Sequence, residues 1–327
     1  MKILFNTYPM AFHTPGGGEI QLLAYRKYLS ELGVDVRLFD QWDPQFLAYD
    51  LVHFFSCIGG SVHFCGFVKK LGLPLVISSS LWITEQTKHL YPIEEIRAQL
   101  AFSDKVIANS NIECEKLSTI FNLPREKFIT VYNGVSELFF KPVSPEIFRK
   151  HYKIDAPFVL NVANIEPRKN QLTLVRAMKA FPEMKLVLIG HTRDVEYAKK
   201  VFFEGGDNVI YAGPVNHEDE LLRSAYAACG VFCLPSTLET PGLAALEAFA
   251  VGAPLVVTKE GSAEEYFGKD AIYIDYKMPD QISIGISEAL NKKLYKKNEN
   301  LRSNKIIGWT SISEELRNIY QVLIKSG

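Results

Sequence analysis

An α/β fold made of two doubly wound, Rossmann-like domains is what this sequence predicts, on three observations. Apolar runs of strand length alternate with amphipathic, helix-length stretches from residue 3 to residue 274, the rhythm of parallel sheets covered by helices. That rhythm occurs twice. Between the two copies lies a loop signal, Lys141-Pro142-Val143-Ser144-Pro145, and the pattern restarts after Asp155-Ala156-Pro157. Two such domains are expected to leave a cleft between them, with ligands beyond the C-terminal ends of the strands.

In the first half the strand runs are 3–6, 35–39, 51–55, 75–78, 105–109 and 128–131. The helix after the first run is expected to begin near Glu19, to bury a face containing Ile20, Leu23 and Ala24, and to stop before Gly33. In the second half the runs are 158–162, 185–189, 209–211, 231–234, 255–257 and 271–274. The domains are therefore assigned as 1–150 and 151–307, with 308–327 as a C-terminal helix packing back on the first domain. A chain of 327 residues suits two domains of ordinary size.

Composition narrows the partners. A formal net charge of -1 gives no general attraction to nucleic acid or anionic lipid. One basic cluster, Lys292, Lys293, Lys296 and Lys297, reads as a solvated helix face, with contact to a membrane surface as its alternative. The five cysteines contain no Cys-x-x-Cys pair and read as reduced core residues. Met1 leads directly into an apolar strand, with no secretory signal pattern and no run long enough to span a bilayer. The expectation is a cytoplasmic protein, peripheral at the inner membrane face if the lysine cluster makes its contact.

The segment 235–248, Pro-Ser-Thr-Leu-Glu-Thr-Pro-Gly-Leu-Ala-Ala-Leu-Glu-Ala, carries the most chemistry. It follows a strand run and opens a helix, with Thr240 as the expected cap and Pro241 at the first position. The amides of Gly242, Leu243 and Ala244 would then face outward at a helix N-terminus, a natural seat for a diphosphate. Glu239 lies just before this helix. Glu247 lies six residues after Pro241, a rise of roughly 9 Å along a helix, suited to holding a different part of one long ligand. Upstream, Glu166-Pro167-Arg168-Lys169-Asn170 sets two cations where another strand gives way to a helix. Fixed cations of this kind stabilise charge that develops on a departing phosphate.

With seven residues between Glu239 and Glu247, a central glycine and a following Leu-Glu-Ala, the segment resembles the E-x(7)-E signature of retaining glycosyltransferases with the GT-B fold, sequence family 4 in particular. The resemblance implies that Glu239 holds donor-sugar hydroxyls and Glu247 the nucleotide ribose. The Glu-Pro-Arg-Lys-Asn run is similar to the family's phosphate loop. Asn164 stands where many members have arginine, which assigns that role to Arg168 beside Lys169. The turn at Gly213-Pro214-Val215 is similar to the one near the family's nucleobase, and Val215 is taken as a donor contact. In the first half, Thr14-Pro15-Gly16-Gly17-Gly18-Glu19 resembles the loop that closes over the donor phosphates, implicating Gly17 and Gly18. A dinucleotide fingerprint is absent there. Asn133-Gly134-Val135 is similar to the family's marker before the interdomain linker. Where the family commonly has histidine near the acceptor, this chain has Ser80; His53, after Asp50-Leu51-Val52, is a second candidate on that side.

The resulting expectation is a GT-B hexosyltransferase that moves a sugar from a nucleotide-diphosphate donor, UDP first and GDP second, to a saccharide or lipid-linked acceptor in polysaccharide or glycoconjugate synthesis. No cofactor is implied. There is no Asp-x-Asp motif, and cations with a helix dipole stand in for an essential metal. A hydrolase or a non-catalytic nucleotide-sugar binder on the same fold remains the alternative.

Overall fold

The structure, a computed structural model, describes residues 1–13, 15–291 and 307–326. Thr14 of the glycine loop and the four lysines at 292, 293, 296 and 297 lie outside the described residues. The chain forms two compact units, Met1–Gly134 with Ile307–Gly327, and the described residues of Val135–Ile306.

The first unit contains strands β1 (Lys2–Thr7), β2 (Asp35–Leu38), β3 (Leu51–Phe55), β4 (Leu75–Ser78), β5 (Lys105–Ala108) and β6 (Phe128–Thr130) in the order β2-β1-β3-β4-β5-β6. The second contains β7 (Phe158–Val162), β8 (Lys185–Ile189), β9 (Val209–Gly213), β10 (Val231–Leu234), β11 (Leu255–Thr258) and β12 (Ala271–Ile274) in the order β12-β11-β10-β7-β8-β9. Every strand pairing is parallel. Each sheet winds outward in both directions from its first strand, so the switch points lie between β1 and β3 and between β7 and β10. Each of the twelve runs expected from sequence is a strand. Their legibility follows from burial on both faces: all five residues of β3 are buried, as are all four of β4, β10 and β11, which leaves continuous apolar text rather than alternation.

The first helix differs in two respects from expectation. It spans Gly17–Glu31, and it buries Gln21, Leu22, Tyr25, Tyr28 and Leu29 rather than a face containing Leu23, which is exposed. Glu19 reaches back to the Gly16 amide at 2.7 Å, so the helix can start two residues before it. The buried face is set by the C-terminal helix Trp309–Ser326, which packs against it; Trp309 meets Tyr25 edge-on at 5.5 Å.

The boundary at 150 is corrected to 134. Residues 135–152 belong with the second unit because their backbone is satisfied there. Ser224 Oγ accepts from the Phe148 amide at 2.9 Å and donates to the Ser144 carbonyl at 2.6 Å. Arg149 donates to the Ala228 carbonyl at 2.9 Å and Arg223 to Leu138 at 3.1 Å. The proline-rich stretch at 141–145 lies inside the second unit and is not the linker that its loop signal suggests.

His53 is likewise relocated. It is wholly buried in the first unit, with Nδ1 2.5 Å from the Tyr320 hydroxyl and Nε2 2.9 Å from Ser78 Oγ, and it stacks on Phe55. A ring in the middle of a doubly covered strand cannot reach a ligand. Burial lowers its pKa from 6.5 to about 3. In the unfolded chain this histidine takes up a proton below about pH 6.5 while the folded one does not, so it withdraws stability as pH falls through that window toward 3. Between pH 7 and 5, wild type is expected to lose about 2 kcal/mol more than His53→Gln. Urea unfolding at the two pH values measures this; equal losses in both proteins would refute it.

Candidate active site

In the second unit the two chemistry-bearing loops leave the adjacent strands that flank the switch point. The segment carrying Arg168 and Lys169 follows β7, and the one carrying Glu239 follows β10. They are tied together by backbone and side-chain bonds: the Thr237 amide donates to the Arg168 carbonyl at 2.8 Å, and Asn170 Nδ2 donates to the carbonyls of Pro235 at 3.0 Å and Tyr276 at 2.7 Å. Asn170 adopts a left-handed conformation and ends the short helix Pro167–Lys169.

Glu239 is almost wholly buried, and Lys169 Nζ lies 2.5 Å from its Oε1. Arg168 lies 3.9 Å from the same oxygen and 3.4 Å from Glu166 Oε1, remaining half-exposed. Arg193 Nη1 holds Glu166 Oε2 at 3.0 Å. Burial alone would raise the Glu239 carboxyl; the charges of Lys169 and Arg168, and the hydrogen bond from Lys169, outweigh it and hold the group below the usual carboxylate range. Glu239 is therefore kept ionised beside two cations, of which Arg168 is the half-exposed one, while Arg193 serves Glu166.

The helix after Glu239 starts later than expected. It spans Leu243–Val251 with Gly242 at its cap, so Thr240 does not cap it and Pro241 precedes it. The first helical amides are those of Leu243 and Ala244. Gly242 has φ 89°, and a Cβ there would lie 2.9 Å from Glu239 Oε2, so only glycine lets the carboxylate rest against the helix start. Gly261 is more constrained: at φ 116°, a Cβ would fall 1.8 Å from the Glu239 carbonyl oxygen. Gly261 bridges Glu239 in parallel fashion, with the Glu239 amide donating to Glu260 at 3.1 Å and its carbonyl accepting from Ser262 at 3.0 Å.

Glu247 sits on the same helix, nearly buried, in a separate setting. Tyr226 donates to its Oε2 at 2.9 Å, and His217 Nε2 lies 3.0 Å from its Oε1. Burial raises its carboxyl, and the influences of His217 and Tyr226 only partly oppose this. Val215, half-buried, is two residues from His217 on the segment after β9.

In the first unit, Gly18, Glu19 and Ser80 line a hollow of about 210 Å³ at the C-terminal ends of β1, β3 and β4, together with Tyr8, Ser56 and Leu81. Ser56 and Ser80 have φ 106° and 43°, sparsely populated values for residues with a Cβ. Ser80 lies 3.5 Å from Gln21 Oε1, and the Gln21 amide donates to Asn109 at 2.8 Å and Asn133 at 2.7 Å. Gly17 opens the helix with nothing within 4 Å of a Cβ, so no packing demands glycine at that position.

The fold brings Arg168, Lys169, Glu239 and Glu247, all singled out from the sequence, to one end of the second sheet. The sequence assigns no role to Glu166, Arg193, His217, Tyr226 or Gly261, which the structure sets against these residues. The sole cue to His217 was its place just past the turn at Val215.

Comparison with known proteins agrees with this architecture. The family described as glycosyl transferases group 1 matches residues 143–306. An uncharacterized glycosyltransferase of Methanocaldococcus jannaschii is 27% identical over 304 residues, covering 85% of this chain and 76% of that protein. O-antigen chain mannosyltransferase B of Escherichia coli is 25% identical over 248 residues, covering 71% of this chain and 64% of that one. An Anabaena protein solved in complex with UDP-glucose superposes with a TM-score of 0.79 at 17% identity, covering 98% of this chain and 100% of that one. Sucrose-phosphate synthase of Thermosynechococcus elongatus gives 0.81 at 19%, covering 100% of both chains. The fold is GT-B, the two-unit α/β architecture of glycosyltransferases. The chain belongs to the glycosyl transferases group 1 family. Among the described residues no helix is long and apolar enough to cross a membrane.

Proposed function

We propose that the protein is a retaining glycosyltransferase, moving a hexose-type sugar from a nucleotide-diphosphate donor to a saccharide or lipid-linked acceptor in polysaccharide or glycoconjugate synthesis. The observation that carries this reading is the buried Lys169–Glu239 pair, with half-exposed Arg168 beside it, against the start of the helix Leu243–Val251. Two cations and the first amides of a helix suit a diphosphate. An ionised, desolvated carboxylate suits sugar hydroxyls, and Glu247 suits the ribose diol. UDP is the first donor to test, supported by the UDP-glucose bound to the Anabaena neighbour; GDP is the second. Ser80 and its hollow in the first unit are assigned to the acceptor.

In this reading the acceptor hydroxyl attacks the anomeric carbon on the face the phosphate leaves. The new C–O bond forms as the anomeric C–O bond to phosphate breaks, and that electron pair departs with the nucleoside diphosphate. The acceptor's proton passes to the departing phosphate oxygen. Arg168 and Lys169 stabilise the growing negative charge, and Glu239 fixes the sugar without bonding to it covalently. The test is donor consumption with and without saccharide acceptors, with the anomeric configuration of the product read by NMR. An inverted product would exclude retention, and consumption independent of acceptor would favour the hydrolase alternative.

No metal is required in this proposal, because the fixed cations and the helix amides together offset the diphosphate. The initial rate after exhaustive chelation is expected to stay within about twofold of the untreated enzyme. Complete loss, restored by stoichiometric Mg2+ or Mn2+, would overturn it.

A further inference from the structure

We propose that His217 is a positioning residue for nucleotide recognition: it holds the Glu247 carboxylate in the orientation that receives a ribose 2′,3′-diol. The inference rests on the donor reading above and extends it to a residue outside the E-x(7)-E segment.

Glu247 is 4% exposed and, among the described residues, has one partner on each oxygen, His217 at Oε1 and Tyr226 at Oε2. A carboxylate oxygen accepts from more than one donor, so one acceptor direction on each oxygen remains. Two such directions on adjacent oxygens match two vicinal hydroxyls. The two protein partners differ in kind. Tyr226 is wholly buried on the helix Glu220–Ala228 and is part of the core. His217 is on the segment between β9 and that helix, with its side chain 36% exposed, and it packs against the ring of buried Phe139 at 5.5 Å. It is therefore the partner at the solvent-facing edge of Glu247, where a ligand would arrive. With Nε2 donating, His217 also favours the ionised form, which accepts from both hydroxyls; without it, burial pushes the carboxyl toward the neutral acid.

His217→Ala weakens UDP binding about tenfold or more, the scale of a lost charge-assisted hydrogen bond. It raises the donor KM while leaving kcat within about threefold, since a ribose contact serves ground and transition states alike. Discrimination between UDP and 2′-deoxy-UDP, present in wild type, shrinks in the variant. His217→Gln, which keeps a donor near Oε1, restores most of the affinity and the discrimination. A merely structural loss would lower the unfolding temperature of both variants together and would not be rescued by glutamine.

The experiment is calorimetric titration of wild type, H217A and H217Q with UDP, GDP and 2′-deoxy-UDP, alongside thermal unfolding and donor kinetics. Weakened binding and lost 2′-discrimination in H217A, recovered in H217Q, support the proposal. If wild type binds UDP or GDP while H217A matches it in affinity and discrimination, the His217 role is overturned and the donor reading stands. If wild type binds neither nucleotide, the donor reading falls and this inference falls with it.

Discussion

Lys169→Ala is expected to lower donor turnover by about 100-fold or more, the usual cost of removing one preorganised group from a developing charge. Two losses coincide. The first is a cation directed at the leaving phosphate. The second concerns Glu239, whose carboxylate keeps its ionised form against burial chiefly because Lys169 lies 2.5 Å away. Without Lys169 the nearest cation is Arg168 at 3.9 Å. The Glu239 carboxyl then rises, because burial is opposed by less positive charge. Sugar positioning fails along with phosphate stabilisation. The sign is testable: the acid limb of the activity profile should move to higher pH in the variant, because the group's depression is relieved. Lys169→Arg should retain part of the rate. The pH dependence of kcat/KM for the three proteins checks both claims. An alanine variant with unchanged rate and profile would remove the pair from the reaction.

Gly261→Ala is expected to abolish most activity although residue 261 bears no functional group. Its Cβ would meet the Glu239 carbonyl oxygen at 1.8 Å, and φ 116° is itself strained for alanine. Neither fault is cured by a side-chain rotation, because both the clashing atom and the strain are backbone. The bridge between Glu239 and Gly261 must open, and the carboxylate moves off its partners. Displacements of this size at a catalytic group cost about 100-fold. The expected signature is a fall in kcat with the donor affinity less affected, since Glu247 and its partners lie elsewhere on the helix. Gly252→Ala is the control: φ 92° strains it comparably, but nothing lies within 4 Å of its Cβ. Equal activity losses in the two variants would assign the effect to strain alone, and near-normal activity of the Gly261 variant would refute the account.

Much of the protein was legible in its residues. The twelve strands could be read because parallel strands buried on both faces must be apolar throughout, and their loops must be polar or glycine-rich. Glu239, Glu247, Arg168 and Lys169 could be read because their order and spacing match a known pattern and because cations and helix starts serve phosphates. Errors arose where a local signal had more than one physical meaning. The prolines at 142 and 145 announced a turn, but whether a turn joins domains or lies within one depends on which surface buries Phe148. Thr240 and Pro241 looked like a helix start, yet the backbone delays the helix to Leu243 so that Gly242 can rest against Glu239. His53 after a strand run looked reachable, and Tyr320, 267 residues away, seals it in.

What the sequence determined by itself is the alternation of elements and the types of charged group at the strand ends, because periodicity and turn chemistry are properties of neighbouring residues. The tertiary structure alone decided the partners of those charges. Arg193 on Glu166, Lys169 on Glu239, His217 and Tyr226 on Glu247, and the backbone of Glu239 against Gly261 join residues 21 to 70 positions apart. Such pairs are fixed by strand order and loop path. A carboxylate's ionisation depends on which cation that path brings within a few ångströms, and no spacing along the chain encodes it.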